Sequence, residues 1–589
     1  MTTTWGEWSL TSRAIAAALV AGGLSAGARV AILAGTRQAW LEVDIGVLLA
    51  GGVTVPLYPT IAATQAAEIL ADCQAEILFV DDPLLLEKLL PEDGPPALGN
   101  VREVIVFDHR AVRDEPDAEG RRVLEVADVA ARAPVPVIRY DHLLARGRAA
   151  LEAGRGPEVD ARSAAVLADD VATLLYTSGT TGAPRGAMLT HRGFVTEVDA
   201  LAPMMTLGPQ DEQLLFLPMA HVFGRLLEVA QLRVGFVTSF AESVWKAMDN
   251  VSEVNPTFFC SVPRLFEKFQ EVANHRARLE GEVRHRLYRW AIGVGLDVSR
   301  RTRDGKPIPR ALALQHRYAE KLVLGRLRGW FGPRLRFAIS GGAPLSPSVA
   351  EWFHAIGITV LEGYGLTETS GASHVNVPGQ FRFGSVGRAV PHVEARLDVD
   401  GEILLRGPSI MRGYWRNEAA TADVLDAEGW LHTGDVGTLA PDGTLTITDR
   451  KKDLIITSNG KNVAPQHLEG LLRESPWISQ AVVYGDAHKH LVALLTLDEA
   501  SVSRWAREHD RSGDLRQLAS DPELRALVQA DVDGVNRRLS SFETVKRFAV
   551  LDRELSVDLG ELTPTMKVRR RAVYDRHRAL LEALYDPLR

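Results

Sequence analysis

Cysteine is nearly missing, with Cys73 and Cys260 the only two in 589 residues. Two thiols so far apart build neither a thiolate metal site nor a disulfide framework, so a reducing, cytoplasmic setting is expected. A long apolar run is missing as well. The most lipid-like stretch, 14–28, holds 15 residues between Arg13 and Arg29, short of the roughly 20 that a spanning helix needs. Glu7 precedes it and the strand-like ARVAIL follows directly, so it reads as a surface-packed first helix over 13–26 rather than a signal peptide. A basic surplus is lacking too: the net charge of −8 argues against a general nucleic-acid binder, which needs cations to meet a polyanion. No internal repeat is found.

What is present is an ordinary globular composition, 46% hydrophobic and 24% charged. Its length exceeds what one core organises, so two or more domains are expected. From Val30 to about Tyr364, β-rich runs alternate with helical stretches: VAIL, EILFV, EVIVF, TLLY, FAIS and ITVLEGY. That alternation predicts layered α/β sheets with Gly-rich ligand loops at the strands' carboxyl ends. After Tyr364 the texture changes to short β runs, GEILLRG at 401–407 and DGTLTITDR at 442–450, which read as a β subdomain. The expected fold class is therefore α/β, with a large N-terminal domain over 1–449 and a smaller, mobile α+β domain over 450–589. The Pro-rich, acidic piece 91–119 reads as a surface excursion.

The most informative string is YTSGTTGAPRG at 176–186, directly after an apolar strand pattern. Hydroxyls at Thr177, Ser178, Thr180 and Thr181, with Gly179, Gly182 and Gly186 opening the backbone, make a phosphate cradle. It lacks the G-x-x-x-x-G-K-[ST] spacing of a Walker loop, and a flexible Ser/Gly turn is the bland alternative. Here the chain resembles the adenylate-forming superfamily of acyl-CoA synthetases, acyl-AMP ligases, luciferases and peptide-synthetase adenylation domains. The resemblance runs in order from about Trp5 to the C-terminus. Members carry a further segment ahead of the part matched by 5–26, so the sequence is expected either to lack it or to start late. The family commonly has Lys where this chain has Arg185, a wider planar cation.

Six further motifs gain their roles from that resemblance. In EGYGLTET, 362–369, it implies that Tyr364, followed by Gly365, stacks on adenine, Thr367 bonds the α-phosphate and Glu368 ligates Mg²⁺. A flat ring, a hydroxyl donor and a hard carboxylate suit those tasks. SGGAPL, 340–345, resembles the loop against the nucleotide's other side, with Gly341, Gly342 and Ala343. In GWLHTGDVG it implies that Asp435 accepts from both ribose hydroxyls. In the 449–469 run, Arg450 resembles a second ribose contact and Lys452 the hinge, while Lys451 taken singly reads as a solvated linker residue. Gly460 belongs to the loop expected to approach the pantetheine. In ELTPTMKVRRR, Lys567 resembles the catalytic ammonium that reaches both substrate carboxylate and α-phosphate. In FLPMAHVFGR, His221 resembles the residue beside the acyl pocket; some members carry a gating Trp four positions on, where this chain has Arg225.

The function this implies is ATP-dependent activation of a long or medium fatty acid to acyl-AMP, then transfer to coenzyme A. ATP, Mg²⁺ and coenzyme A are the expected cofactors and co-substrates. A helical insertion between PRLFEK and GWF resembles the long-chain enzymes more than acetate or aryl ones. A fatty acyl-AMP ligase that loads a carrier protein is the enzymatic alternative, and a nucleotide-binding scaffold the non-catalytic one. One segment stands against the overall charge: 264–334 carries 17 Lys/Arg and 7 Asp/Glu, Arg300, Arg301 and Arg303 among them. Peripheral contact with an anionic membrane at its inner face is one reading; helices whose arginines are solvated or paired is the other.

Overall fold

The computed structural model describes residues 2–91, 96–112, 123–177, 184–244, 246–458, 461–557, 559–563 and 566–585. Within these the chain divides into two compact units. Of the described residues, the first takes in 2–177, 184–395 and 405–431; the second takes in Arg396–Leu404 and the chain from His432.

The first unit opens with a helix over Trp5–Ala21, so the expected start at Arg13 is corrected. Its beginning is set by a capping box: Glu7 N donates to Thr4 Oγ1 at 3.2 Å and Thr4 N to Glu7 Oε2 at 2.8 Å. Two sheets follow. In the first, the order is Val137–Arg139, Glu103–Val106, Ile77–Val80, Arg29–Leu33, Val53–Leu57, Val171–Thr177 and Arg185–Thr190. Every pairing is parallel except the last, where Arg185–Thr190 folds back antiparallel on Val171–Thr177. Runs such as ILFV, buried at all four positions, are what a sheet covered on both faces requires. Glu103–Val106, buried at three of its four residues, is the expected EVIVF strand, and it limits the surface excursion read over 91–119, since an apolar strand there belongs to the core.

The second sheet runs Val237–Phe240, Glu212–Leu215, Phe258–Ser261, Phe337–Ser340, Val360–Leu366 in parallel, then Gly371–Val375 and Gly387–Ala389 antiparallel. The basic helices hang on it through aromatics: Phe331 lies 4.4 Å from Phe269 and 6.2 Å from Phe259, ring centre to ring centre.

The second unit holds the hairpin Leu431–Leu439 and Thr444–Arg450. It continues with the sheet Ile478–Tyr484, Leu491–Leu497 and Val545–Val550, against which Pro465–Leu472, Glu499–Glu508 and Pro522–Asn536 bury their apolar faces. This α+β texture is the one expected of the smaller domain. No helix of the described residues is long and apolar enough to cross a membrane.

Candidate active site

In the first unit the strand Val360–Leu366 carries the EGYGLTET motif to the sheet's end and turns through a single helical turn, Thr367–Thr369. Thr369 builds that turn: its Oγ1 accepts from Leu366 N at 2.9 Å and donates to Gly371 O at 2.7 Å. Gly365 is a steric requirement, because a Cβ there would sit 1.7 Å from Gly371 O. Tyr364 is buried at the end of this strand beside His374, with ring centres 6.3 Å apart. Glu362 ties the motif to the SGGAPL loop by accepting from Leu345 N at 3.0 Å. Burial pushes its carboxyl up to about 7, and the Leu345 bond only partly offsets this. Gly341 sits in that loop against the ring of Phe223, where a Cβ would stand 3.0 Å away; Gly342 has φ +80, and Ala343 is exposed.

Phe223 comes from the helix Val222–Val234, whose N-cap is His221. His221 Nδ1 accepts from Phe223 N at 3.2 Å, so this half-buried imidazole caps the helix. Arg225, one turn on, is fully buried between Asp44 Oδ2 at 2.7 Å and Glu228 Oε2 at 2.6 Å.

Glu368 has a partner that the motif does not announce. Tyr414 OH donates to Glu368 Oε1 at 2.7 Å, and the Arg185 guanidinium lies 5.7 Å from the centre of the same Tyr ring. Burial and the adjacent Glu368 carboxylate push the Tyr414 hydroxyl far up, so it remains a donor. Backbone pairing places it there. Met188 N donates to Gly413 O at 2.9 Å, Trp415 N to Gly186 O at 2.7 Å and Met411 N to Glu368 O at 2.8 Å. The 411–415 segment thus joins the strand bearing Arg185 to the turn bearing Glu368. Thr177 lies directly across from Arg185 in the hairpin register. Ser178, Gly179, Thr180, Thr181 and Gly182 lie outside the described residues, as does Gly460.

The second unit brings together Asp435 and Arg450, paired across the hairpin with Arg450 Nε 3.2 Å from Asp435 Oδ1. Lys452 stands exposed in the turn after that strand. Lys451 corrects the linker reading: its Nζ lies 2.5 Å from Asp400 Oδ2 and 2.8 Å from Glu402 Oε2, and these hydrogen-bonded carboxylates push its pKa up. Its ammonium also bears on the one grouping of metal-ligand spacing found among the described residues, Asp398, Glu402 and His432, because it already neutralises Glu402. Lys567 is exposed on a tight turn in which Thr563 N donates to Lys567 O at 2.8 Å and Lys567 N to Thr563 Oγ1 at 3.1 Å. Glu561 anchors this turn from below, fully buried, accepting from Arg553 at 2.6 and 2.7 Å and from Ser556 N at 3.1 Å. Burial raises its carboxyl, and the hydrogen bonds from Arg553, Ser556 N and His577 together outweigh that, holding it below the usual range.

Strand ends that gather a hydroxyl turn, a carboxylate and a guanidinium in one unit, with an Asp–Arg pair and an exposed lysine turn in a second, define a nucleotide-using enzyme of two parts. Residues 1–415 match the family model described as AMP-binding enzyme, and 452–589 match the AMP-binding enzyme C-terminal domain. Long-chain-fatty-acid–CoA ligase FadD15 of Mycobacterium tuberculosis is 37% identical over 98% of this chain and 90% of its own. Long chain acyl-CoA synthetase 6 of Arabidopsis thaliana, described as peroxisomal, is 31% identical over 96% and 79%. Among solved structures, the adenylation domain of a carboxylate reductase from Mycobacterium chelonae superposes with a TM-score of 0.76 at 26% identity, covering 99% of this chain and 84% of that one. The chain belongs to the AMP-binding enzymes and, within them, to the family of long-chain-fatty-acid–CoA ligases.

Proposed function

We propose that this protein activates a long- or medium-chain fatty acid with ATP and passes the acyl group to coenzyme A, releasing AMP and pyrophosphate. The observation that carries this reading is the Arg185–Tyr414–Glu368 arrangement at the sheet's end, a cation and a hard carboxylate set on one ring. A carboxylate is a poor electrophile. In the first step its oxygen attacks the α-phosphorus, the bond to the β-phosphate bridging oxygen breaks, and pyrophosphate leaves with the electron pair. In the second, the thiolate of coenzyme A attacks the acyl carbonyl and AMP leaves. No covalent enzyme intermediate is required.

Residue roles follow from chemistry and position. Tyr364 supplies a flat apolar face for adenine, with Gly341, Gly342 and Ala343 opposite, Gly365 leaving backbone room and Thr367 donating to the α-phosphate. Thr177 and Arg185, with the 178–182 loop, orient the outer phosphates. Asp435 and Arg450 take the ribose, and Lys567 bridges acid and α-phosphate. His221 borders the acid. Mg²⁺ would be held by Glu368, a hard carboxylate fixed on one oxygen by Tyr414. When bound, that ion supplies charge neutralisation of the phosphates. We place the domain boundary at Asp449 and the hinge at Lys452, about which the smaller domain turns between the steps, exchanging Lys567 for the Gly460 loop. The enzyme is assigned to the cytoplasm, with peripheral contact on an anionic membrane. The test is ATP–pyrophosphate exchange and acyl-CoA formation across a fatty-acid panel. Exchange without consumption of coenzyme A would instead favour loading of a carrier protein.

A further inference from the structure

Part of the basic segment is paired by its own fold. Arg284 pairs with Glu280, Arg286 with Glu282, Arg300 with Asp297 at 3.6 Å, Lys306 with Asp304, Arg328 with Glu320 and Arg334 with Glu212. Arg303 is 2.7 Å from Glu351 and lies over the Phe383 ring. The Arg300, Arg301 and Arg303 group singled out in the sequence is therefore a poor candidate for lipid contact. A different surface emerges one helix further on.

The helix Arg310–Ala319 continues into the turn Glu320–Leu324, and Ala319 is the only buried residue of the helix. Leu314, Tyr318 and Leu322 follow at four-residue spacing and are 55%, 56% and 40% exposed. At about 100° per residue, these three fall within roughly 120° of one another together with Arg310 and Lys321, with Arg317 at the border. Arg310, Arg317 and Lys321 are all exposed and make no ion pair among the described residues. Ile308, 41% exposed, extends the apolar stripe ahead of the helix. A helix that turns leucines and a tyrosine to water, with unpaired cations alongside, has the composition of an element lying in a headgroup layer.

We propose that the 310–324 segment seats on an anionic phospholipid surface, with Leu314, Tyr318 and Leu322 entering the headgroup region and Arg310, Arg317 and Lys321 meeting lipid phosphates. This deepens the membrane contact proposed above by naming the surface, and it does not depend on which acid is activated. Each near-surface cation strengthens partitioning about five-fold and the three together about 100-fold. Each leucine that inserts adds roughly ten-fold.

The test exploits the scarcity of thiols. Cys73 and Cys260 are both buried, so Tyr318→Cys on the full chain takes an environment-sensitive fluorophore at that one exposed position. Vesicles of phosphatidylcholine with phosphatidylglycerol should blue-shift the label, pure phosphatidylcholine much less so, and added salt should reverse the effect. The Arg310→Gln/Arg317→Gln/Lys321→Gln variant should lose about 100-fold in partitioning, and Leu314→Ala/Leu322→Ala a comparable amount. Acyl-CoA formation from a short, water-soluble fatty acid is measured in parallel and should not change. Sedimentation with vesicles without a label shift would place the contact elsewhere and overturn the proposal. So would a shift that tracks protein concentration without lipid, which would mark a second copy of the chain as the occupant. Absence of acyl-CoA formation with the label shift intact would sink the enzymatic reading and leave this one standing.

Discussion

Replacing Glu362 by glutamine should stabilise the protein, by a gain that grows as pH rises above 4.5 and levels off above about 7. The carboxyl is buried under the nucleotide motif, accepts one backbone hydrogen bond from Leu345, and has no charged partner among the causes of its shift. Its pKa rises from 4.5 to about 7 on folding. A carboxyl raised in the folded state favours folding fully below its unfolded value, and that advantage is lost as pH rises through the folded value. The displacement from 4.5 to about 7 corresponds to about 3 kcal/mol of cost once both states are ionised. Glutamine keeps the oxygen that Leu345 N needs and carries no charge to desolvate. Glu362→Gln should therefore gain ~2–3 kcal/mol in denaturant unfolding at pH 8, and that gain should vanish near pH 4.5. A gain of equal size at both pH values would refute the reasoning, because packing rather than ionisation would then account for it. A loss at pH 8 would show that the anion is stabilised by contacts absent from the present geometry.

Tyr414→Phe keeps the ring over Arg185 but removes the hydroxyl from Glu368, a hydrogen bond to a charged acceptor worth ~1.5–3 kcal/mol. Half-saturation by Mg²⁺ in pyrophosphate exchange should rise about ten-fold or more while the melting temperature moves little; an unchanged Mg²⁺ requirement would remove Tyr414 from the site. Lys567→Ala should abolish acyl-adenylate formation and spare transfer from preformed acyl-AMP to coenzyme A, whereas Lys452→Pro, which fixes φ at the proposed hinge, should do the reverse. Equal loss of both half-reactions in the two variants would argue against alternation. Arg185→Lys should change the apparent affinity for ATP only a few-fold and Arg185→Ala more, since charge matters before geometry beside a phosphate; complete loss in the lysine variant would reveal a bidentate contact.

The strands were legible because each is a short apolar run punctuated by glycine or a charged turn. FAIS and TLLY reappear as Phe337–Ser340 and within Val171–Thr177. The first helix was legible in kind but not in extent, because the apolar pattern begins at Ala14 whereas a capping box from Thr4 to Glu7 fixes the start. Motif residues could be assigned one at a time, yet the groups that hold them came from elsewhere in the chain. Tyr414 reaches Glu368 from 46 residues away, and Glu561 gathers Arg553, Arg576 and His577 under the Lys567 turn. Such partners leave no periodic trace, since a hydrogen bond across a fold constrains position in space and not spacing in sequence. Lys451 was misjudged for the same reason: the carboxylates that pin it belong to 400 and 402.

Arg225 shows how far a substitution at a motif's edge can redirect a residue. Its guanidinium, 1% exposed, meets Asp44 from the helix Gln38–Leu49, Glu228 from its own helix and Thr54 Oγ1 at 3.5 Å from the strand Val53–Leu57, with the Trp40 ring 5.1 Å away. Two carboxylates around one buried cation cannot both stay ionised at low cost. Burial, and then the neighbouring Asp44, drive the Glu228 carboxyl well above its ordinary value. Such a cluster is rigid, because removing the Arg225 guanidinium would leave buried carboxylates uncompensated at a cost of ~3–5 kcal/mol. It locks the helix Val222–Val234 to the first sheet one turn beyond His221, whose carbonyl accepts from Arg225 N at 3.2 Å. That turn carries Phe223 against Gly341. Position 225 therefore works from inside the fold, fixing the register between the His221 helix and the SGGAPL loop, and a side chain committed in this way is not available to swing as a gate.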